Sequence, residues 1–343
     1  MDAFVKTAAW AHAKTDGPAG GRDAEILLHP RYRSAAMHAH GDAAEELIAG
    51  LTAPLAFISP KYFYDSTGSR LFEEITGLPE YYPTRTERAI LSQFGPEIAR
   101  SIGMRSTLID LGAGNCEKAR SLFPVLQPSH FVAVDVAEEF VARALDAMQP
   151  AFPDIRMIAV CADLASEIAL PESVPRRERL FFYPGSSIGN FMPDDALSLL
   201  RRIRAQCGGD GGLLIGVDLV KPVAILDAAY NDARGVTATF NLNILDHVNA
   251  LIGSDFAAEN WKHVAFFNAA MARIEMHLEA RQGVAARWPG GSRMFRAGER
   301  IHTEYSYKYD VPAFAELLRR AGFSRVREWT DAERWFAVFH AVA

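Results

Sequence analysis

Carboxylates at the ends of apolar runs, and glycines beside one of them, are the residues of this chain best placed to do chemistry. Thr107-Leu-Ile-Asp-Leu111 reads as a buried strand, Gly112-Ala113-Gly114 as a tight turn, and Cys116 onward as the start of a helix. Glycines let a backbone take unusual dihedrals and come close to a ligand, and a helix N-terminus offers free N–H groups. A second apolar run, Phe131-Val-Ala-Val134, ends in Asp135, 21 residues beyond Gly114, where a carboxylate can take both hydroxyls of a ribose. A third, Ile155-Arg-Met-Ile-Ala-Val160, runs on to Asp163, a plausible partner for an adenine amino group. Singly, each acidic strand end is as well explained as a helix cap; together they line the carboxyl edge of one sheet, where open α/β folds bind ligands. A dinucleotide site wants a third glycine three residues after the second, and Glu117 stands there. Gly112, Gly114, Asp135 and Asp163 therefore suit a nucleoside ligand without a pyrophosphate, of which S-adenosylmethionine is the common one.

The elements that must position these residues follow from the apolar pattern. Leu180-Phe-Phe-Tyr183 is a fourth strand, and the Gly/Ser loop from Pro184 to Pro193 leaves it beside the ligand turn. Its backbone amides, with Asn190, could cradle a carboxylate, although Asn190 could equally cap the helix that begins at Pro193-Asp194. Gly211 to Val217 is a fifth strand, ending in Asp218. From about residue 222 the chain changes character, with helices near 224–230 and 240–251 and strand-like patterns at 265–267 and 273–278, as an inserted domain would. Ile301 to Tyr309 alternates strictly, putting Ile301, Thr303, Tyr305, Tyr307 and Tyr309 on one face and His302, Glu304, Ser306 and Lys308 on the other; the second face suits solvent as well as it suits a ligand. A last helix from Val311 and a closing strand at Trp335–Phe339 return to the sheet. Upstream, residues 1–33 read as a loosely held lead-in, and Asp42 as the cap of a short helix. Between Pro60 and Thr84, Tyr62, Phe63, Tyr64, Phe72, Tyr81 and Tyr82 are interleaved with Ser, Gly and Pro. Such aromatics are either core or, on loops, a lid that carries phenols to the mouth of the site. Helical patterns at Thr86–Phe94 and Ile98–Ile102 lead into the first strand.

Composition narrows the partners. With 343 residues the chain can hold two modest domains, and 49% apolar with 23% charged residues is ordinary for a globular protein. A net charge of −6, with basic residues spread along the chain, leaves no nucleic-acid footprint. Cys116, Cys161 and Cys207 are far apart and lie near no paired histidines, which argues against a zinc site and fits a reducing cytoplasm. No apolar stretch has the length of a membrane span. The expected partner is a small molecule, with no nucleic acid, no membrane and no metal.

Assembled, these residues resemble the histidine Nα-methyltransferases of ergothioneine biosynthesis. The resemblance runs from about Leu55 to the C-terminus and is carried by Phe63-Tyr-Asp-Ser-Thr-Gly-Ser, Leu78-Pro-Glu-Tyr-Tyr-Pro-Thr-Arg-Thr-Glu87, Gly185-Ser-Ser-Ile-Gly-Asn190, Asp218-Leu-Val-Lys221 and Thr303-Glu-Tyr-Ser306. It implies an α/β fold, a Rossmann-like class I methyltransferase sheet with an inserted α+β substrate-binding domain. The methyltransferase domain would comprise 85–220 and 308–343, and the substrate domain 34–84 and 221–307. By the same resemblance Asn190 and Tyr230 hold the carboxylate of L-histidine, Glu304 and Ser306 bind its imidazole, and Met276 lines that pocket. Tyr64, Phe72 and Tyr81 close the site, while Tyr81, Gly112, Gly114, Lys118, Asp135, Asp163 and Ser187 serve the methyl donor. The implied activity is threefold methylation of the α-amine to hercynine, with Tyr64 and Asn190 positioning the reactants in a monomeric cytoplasmic enzyme. The competing expectations are the same reaction on tryptophan or tyrosine, and a non-catalytic S-adenosylmethionine sensor.

Overall fold

The computed structural model describes residues 25–26, 43–103, 107–166 and 168–343. β1 (Glu25–Ile26) is a two-residue edge strand, and α1 (43–52) buries Leu47 and Leu51, four residues apart on one face. Asp42, the expected cap of α1, lies outside the described residues, as does the expected lead-in apart from β1. After a 3-10 turn at Pro60–Phe63 comes α2 (Ser66–Thr76), so the aromatic stretch expected on loops is largely helical. Capping explains the difference: the Asp65 carboxylate accepts the Gly68 N–H at 2.6 Å and satisfies a donor that the helix start leaves open. α3 (Tyr82–Ile102) joins the pieces on either side of Pro96 into one helix of 21 residues. A proline costs it one ladder bond, and burial of Ile90, Leu91, Ile98 and Ile102 outweighs that loss.

β2 (Thr107–Leu111) runs into the glycine turn. The helix expected beyond it is two separate turns, α4 (Glu117–Arg120) and α5 (Phe123–Leu126), because Pro124 has no N–H to continue the ladder. β3 (His130–Asp135), α6 (Glu138–Met148), β4 (Arg156–Cys161), β5 (Arg179–Tyr183), α7 (Pro193–Cys207) and β6 (Gly212–Asp218) complete an alternating half. α8 (Val223–Tyr230), α9 (Val236–Ile252), β7 (Trp261–Asn268), β8 (Arg273–Ala280), β9 (Val284–Trp288), β10 (Gly291–Phe295) and β11 (Arg300–Tyr307) follow. α10 (Val311–Arg320), β12 (Arg325–Thr330) and β13 (Phe336–Val342) close the chain.

Eight strands form one sheet in the order β1-β4-β3-β2-β5-β6-β13-β12, with β13 antiparallel to β6 and β12 antiparallel to β13. This is the expected Rossmann-like class I methyltransferase sheet. Its central strands are buried on both sides: Ile109 and Leu111 face the core under α7 and α10, whereas Leu108 faces that under α3 and α6. β11, β8 and β7 make a second, antiparallel sheet, β9 and β10 a hairpin. A third core, from Leu47 and Phe63 to Phe240, Trp261, Met276 and Ile301, packs the N-terminal helices and α9 on that second sheet. The hairpin and β12 were not anticipated. β12 reads Arg-Val-Arg-Glu-Trp-Thr and buries only Trp329, as an edge strand can. Among the described residues no helix is long and apolar enough to cross a membrane.

The second sheet meets the first where the 3-10 turn Ser187–Asn190 lies on β11. Gly189 permits it: a Cβ there would sit 2.8 Å from the Tyr307 carbonyl oxygen. Gly189→Ala is expected to cost about 1–3 kcal/mol and lower Tm by several degrees. Gly95→Ala, inside α3 with nothing within 4 Å of the new methyl, should instead be neutral or stabilising by up to about 1 kcal/mol. Thermal denaturation of the two variants beside the parent protein checks both signs.

Candidate active site

Two adjoining cavities open at the carboxyl edge of the large sheet. The larger, about 580 Å³, is bordered by Gly112, Gly114, Lys118, Asp135 and Asp163. The smaller, about 60 Å³, is bordered by Tyr230, Met276, Glu304 and Ser306. Tyr64, Phe72, Tyr81, Gly185, Ser187 and Asn190 line both. Every residue expected at the substrate thus lines the small cavity, and every residue expected at the methyl donor lines the large one.

The walls of the large cavity follow from the turn after β2. Gly112 and Gly114 have φ of 69° and 52°, and Cys116, at the start of α4, is also left-handed at 60°. Asp135 at the end of β3 accepts the Gly114 N–H at 2.9 Å and the Ala137 N–H at 3.0 Å, which ties the two strand ends together. Beneath the turn Asp110 is buried with its Oδ1 unpaired, and burial, opposed by Lys118, pushes its carboxyl up to about 8. A carboxyl so placed, glycine amides and an acidic strand end are a donor set that fits an adenosine-bearing cation. Asp163 accepts the Ala165 N–H at 2.8 Å and pairs with Lys61 at 3.1 Å; Lys61 also binds Glu46 on α1 at 2.6 Å. Burial opposes that ammonium, but the two carboxylates hold it above its ordinary range.

Lys118 does not point at open space. Its Nζ donates to Glu87 at 2.7 Å, and Glu87 also accepts the Gly185 N–H at 2.9 Å. Glu87 is buried on α3, a place that an acidic residue on a helical pattern does not signal in the sequence.

The small cavity owes its polarity to a bulge in β11. Ile301 lies opposite Leu278 and His302 opposite His277, but Glu304 lies opposite Met276 and Ser306 opposite Ile274. Thr303 is therefore an extra residue, and alternation reverses across it. Its hydroxyl donates to Asn241 of α9 at 2.8 Å, which holds the bulge. The face assignment by strict alternation is corrected accordingly: Glu304 and Ser306 turn inward with Ile301, while His302 joins Tyr305 on the other side. Nor do they form a solvated face, since Glu304 is 8% and Ser306 5% exposed. Burial pushes the Glu304 carboxyl up to about 7, with Lys308 opposing, and it makes no side-chain hydrogen bond to a described residue. Burial likewise holds the phenols of Tyr64, Tyr81 and Tyr230 well above their ordinary range, with Glu304 adding to it.

Tyr64, Phe72, Tyr81 and Tyr230 meet edge to face in sequence, at ring separations of 5.7, 6.3 and 6.5 Å. Phe240 of α9 backs this arc, 6.0 Å from both Tyr64 and Phe72; an apolar residue on a helical pattern carries no sequence signal for such a place. Behind Ser306 lies a buried polar chain. Tyr230 donates to Ser306 at 2.9 Å, Lys308 donates to Ser306 at 2.7 Å and to Tyr230 at 3.1 Å, and Lys308 pairs with Asp218 at 2.9 Å. Asp218 also binds Lys221 at 2.5 Å and accepts the Tyr82 hydroxyl at 2.7 Å. Burial favours a neutral Asp218, but the two lysines hold its carboxyl below the usual range. Burial in turn pulls Lys221 down to about 8 against Asp218. Lys221, Lys308 and Tyr82 carried no site assignment, because sequence spacing does not show that they converge.

A family model described as histidine-specific methyltransferase, SAM-dependent, matches residues 43–343. A histidine N-alpha-methyltransferase of Mycobacterium tuberculosis (strain CDC 1551 / Oshkosh) is 39% identical over 293 residues, 83% of this chain and 90% of that protein. One of Mycolicibacterium smegmatis is 38% identical over 320 residues, 90% of this chain and 99% of that protein. Ergothioneine biosynthesis protein 1 of Neurospora crassa is 30% identical over 277 residues, 78% of this chain and 31% of that longer protein.

Glu304 gives the site a measurable signature. Its carboxyl is raised in the folded protein from 4.5 to about 7, so the stability tied to its protonation is complete below pH 4.5 and is lost as pH rises through 7. Glu304→Gln escapes that loss. The Tm of the variant minus that of the parent is expected to grow between pH 5 and pH 8, and a flat difference would place the carboxyl in a water-like setting.

Proposed function

The chain belongs to the histidine-specific, S-adenosylmethionine-dependent methyltransferase family, and from that premise we propose that it methylates the α-amino group of L-histidine three times, giving Nα,Nα,Nα-trimethylhistidine (hercynine) for ergothioneine biosynthesis. The observation that carries the substrate is the bulged strand, which turns Glu304 and Ser306 into a closed pocket next to the glycine-turn cavity. Glu304 and Ser306 offer a ring two polar partners, which suits the two nitrogens of an imidazole better than the single polar atom of an indole or a phenol.

Gly112, Gly114, Lys118, Asp135, Asp163 and Ser187 would hold S-adenosylmethionine, which supplies a methyl group on a sulfonium. Asn190, with Tyr230 beside it, takes the substrate carboxylate. Glu304 accepts an N–H of the ring, Ser306 meets its other edge, and Met276 packs on it. Tyr64 orients the amine, while Phe72 and Tyr81 exclude water across the junction of the cavities. Such a displacement needs reactants held in line more than it needs a strong base; burial and the neighbouring sulfonium favour the neutral amine. On this reading residues 34–84 and 221–307 form the substrate-binding part and 85–220 with 308–343 the methyltransferase part, in a monomeric cytoplasmic enzyme.

Mass spectrometry of protein incubated with S-adenosylmethionine and each of the twenty amino acids is the direct test, with mono-, di- and trimethylated histidine expected. Glu304→Ala should lower kcat/KM for histidine by about 100-fold or more, because a buried polar group loses its partner, with donor affinity within about 3-fold of the parent. Asn190→Ala should chiefly raise KM for histidine. Methylation of another amino acid, or equal loss of donor and histidine binding in Glu304→Ala, would overturn the assignment.

A further inference from the structure

We propose that Lys308 is a positioning residue that fixes the direction of the hydroxyls at the ring pocket, so that Ser306 presents a hydrogen and the pocket takes an uncharged azole bearing one N–H and one bare nitrogen. The proposal rests on the histidine reading of the pocket. It follows from counting hydrogens. An ammonium has three N–H groups and accepts nothing, and Lys308 commits its Nζ to three oxygens: Ser306 Oγ at 2.7 Å, Tyr230 Oη at 3.1 Å and Asp218 Oδ2 at 2.9 Å. Both hydroxyl oxygens must therefore accept from it. Tyr230 and Ser306 also bond each other at 2.9 Å, which uses one of their two hydrogens and leaves one for a ligand.

Which hydrogen is left follows from acidity. A phenol is the better donor and an aliphatic hydroxyl the better acceptor, so Tyr230 donates to Ser306. Ser306 Oγ then accepts from both Tyr230 and Lys308, its two lone pairs are filled, and its own hydrogen can go only to the pocket. A ring edge that meets Ser306 must offer a bare nitrogen, while the opposite N–H goes to Glu304. The groups around the ring agree. At pH 6 the raised Glu304 carboxyl is mostly protonated and accepts through its carbonyl oxygen, Lys308 and Lys221 stand against Asp218, the phenols of Tyr64, Tyr81 and Tyr230 are neutral, and a charged ring would add a further cation. Tyr230, its hydrogen spent on Ser306, then touches the carboxylate without donating to it, and Asn190 carries that hydrogen bond.

The test is nitrogen NMR of ring-labelled L-histidine bound to the full chain with S-adenosylhomocysteine at pH 6, where most free histidine carries a charged ring, its pKa being about 6.5. The expected spectrum has one protonated and one bare nitrogen at well-separated shifts; two protonated nitrogens would overturn the proposal. In Lys308→Met, where Asp218 keeps Lys221 and Tyr82, the bound ring should gain its second proton at pH 6. There kcat/KM for histidine should fall about 10-fold or more, with donor affinity within about 3-fold. An unchanged spectrum in that variant would mean that Lys308 acts only through structure. Should Lys308→Met not fold, Ser306→Ala reads the same contact: the bare nitrogen must shift as its hydrogen bond is lost, and no shift counts against the proposal. Absence of histidine binding to the parent protein would instead count against the histidine reading itself.

Discussion

A carboxylate buried between two lysines joins the parts of this molecule. Asp218 ends β6, is 1% exposed, and receives Lys221 from the loop that leaves the sheet, Lys308 from the end of β11 and Tyr82 from the first turn of α3. Its own N–H donates to Ser186 at 2.9 Å. Charges buried in this way do not stabilise a fold cheaply, since desolvation offsets most of their attraction, but losing one partner costs about 3–5 kcal/mol. Chain segments far apart in sequence are thereby held in one register, and Ser186, Asp218 and Lys308 among them line the small cavity.

Glu87 does the same on the donor side, one and a half turns further along α3 from Tyr82. Room for it comes from Gly216, where a Cβ would fall 1.9 Å from its Oε1. It holds the Gly185 N–H and Lys118, so the loop from Pro184 to Asn190 is fastened at Gly185 by the Glu87 carboxylate and at Ser186 by the backbone N–H of Asp218. That loop is the shared wall of the two cavities. Its rigidity is inherited from α3 and β6, not from its own glycines and serines.

The parallel half of the sheet was legible because its strands are apolar throughout and its turns are marked by glycine and aspartate. The glycine turn and the acidic ends of β3 and β4 could be read for the same reason. What could not be read depends on single contacts between distant residues. Strict alternation is the default for a strand, and only the Thr303–Asn241 bond, across 62 residues, announces the bulge that turns Glu304 inward. The helix α2 hides among turn formers because its stability rests on one cap, Asp65, and on the core behind it. Lys308, polar on an alternating strand, looks solvated until Asp218 is placed beside it.

The charge inventory of the pocket agrees with the proposal that the reaction proceeds without a strong base. With Glu304 ionised, two lysines face two carboxylates, and the three phenols are held protonated by burial. The proposed reaction brings in a sulfonium and an amine that is charged in water. A neutral wall neither traps the sulfonium as a salt nor repels it, and the nearby positive charge lowers the cost of shedding a proton from the amine. Each transfer enlarges the amine and ends, at the third, in a permanent cation that can accept no hydrogen bond from the wall and donate none to it. Aromatic faces suit such a group where carboxylates would hold it too tightly. Tyr64, Phe72 and Tyr81 line the junction of the two cavities, so on the proposed reading the same rings that exclude water for the first methylation can tolerate the product of the last.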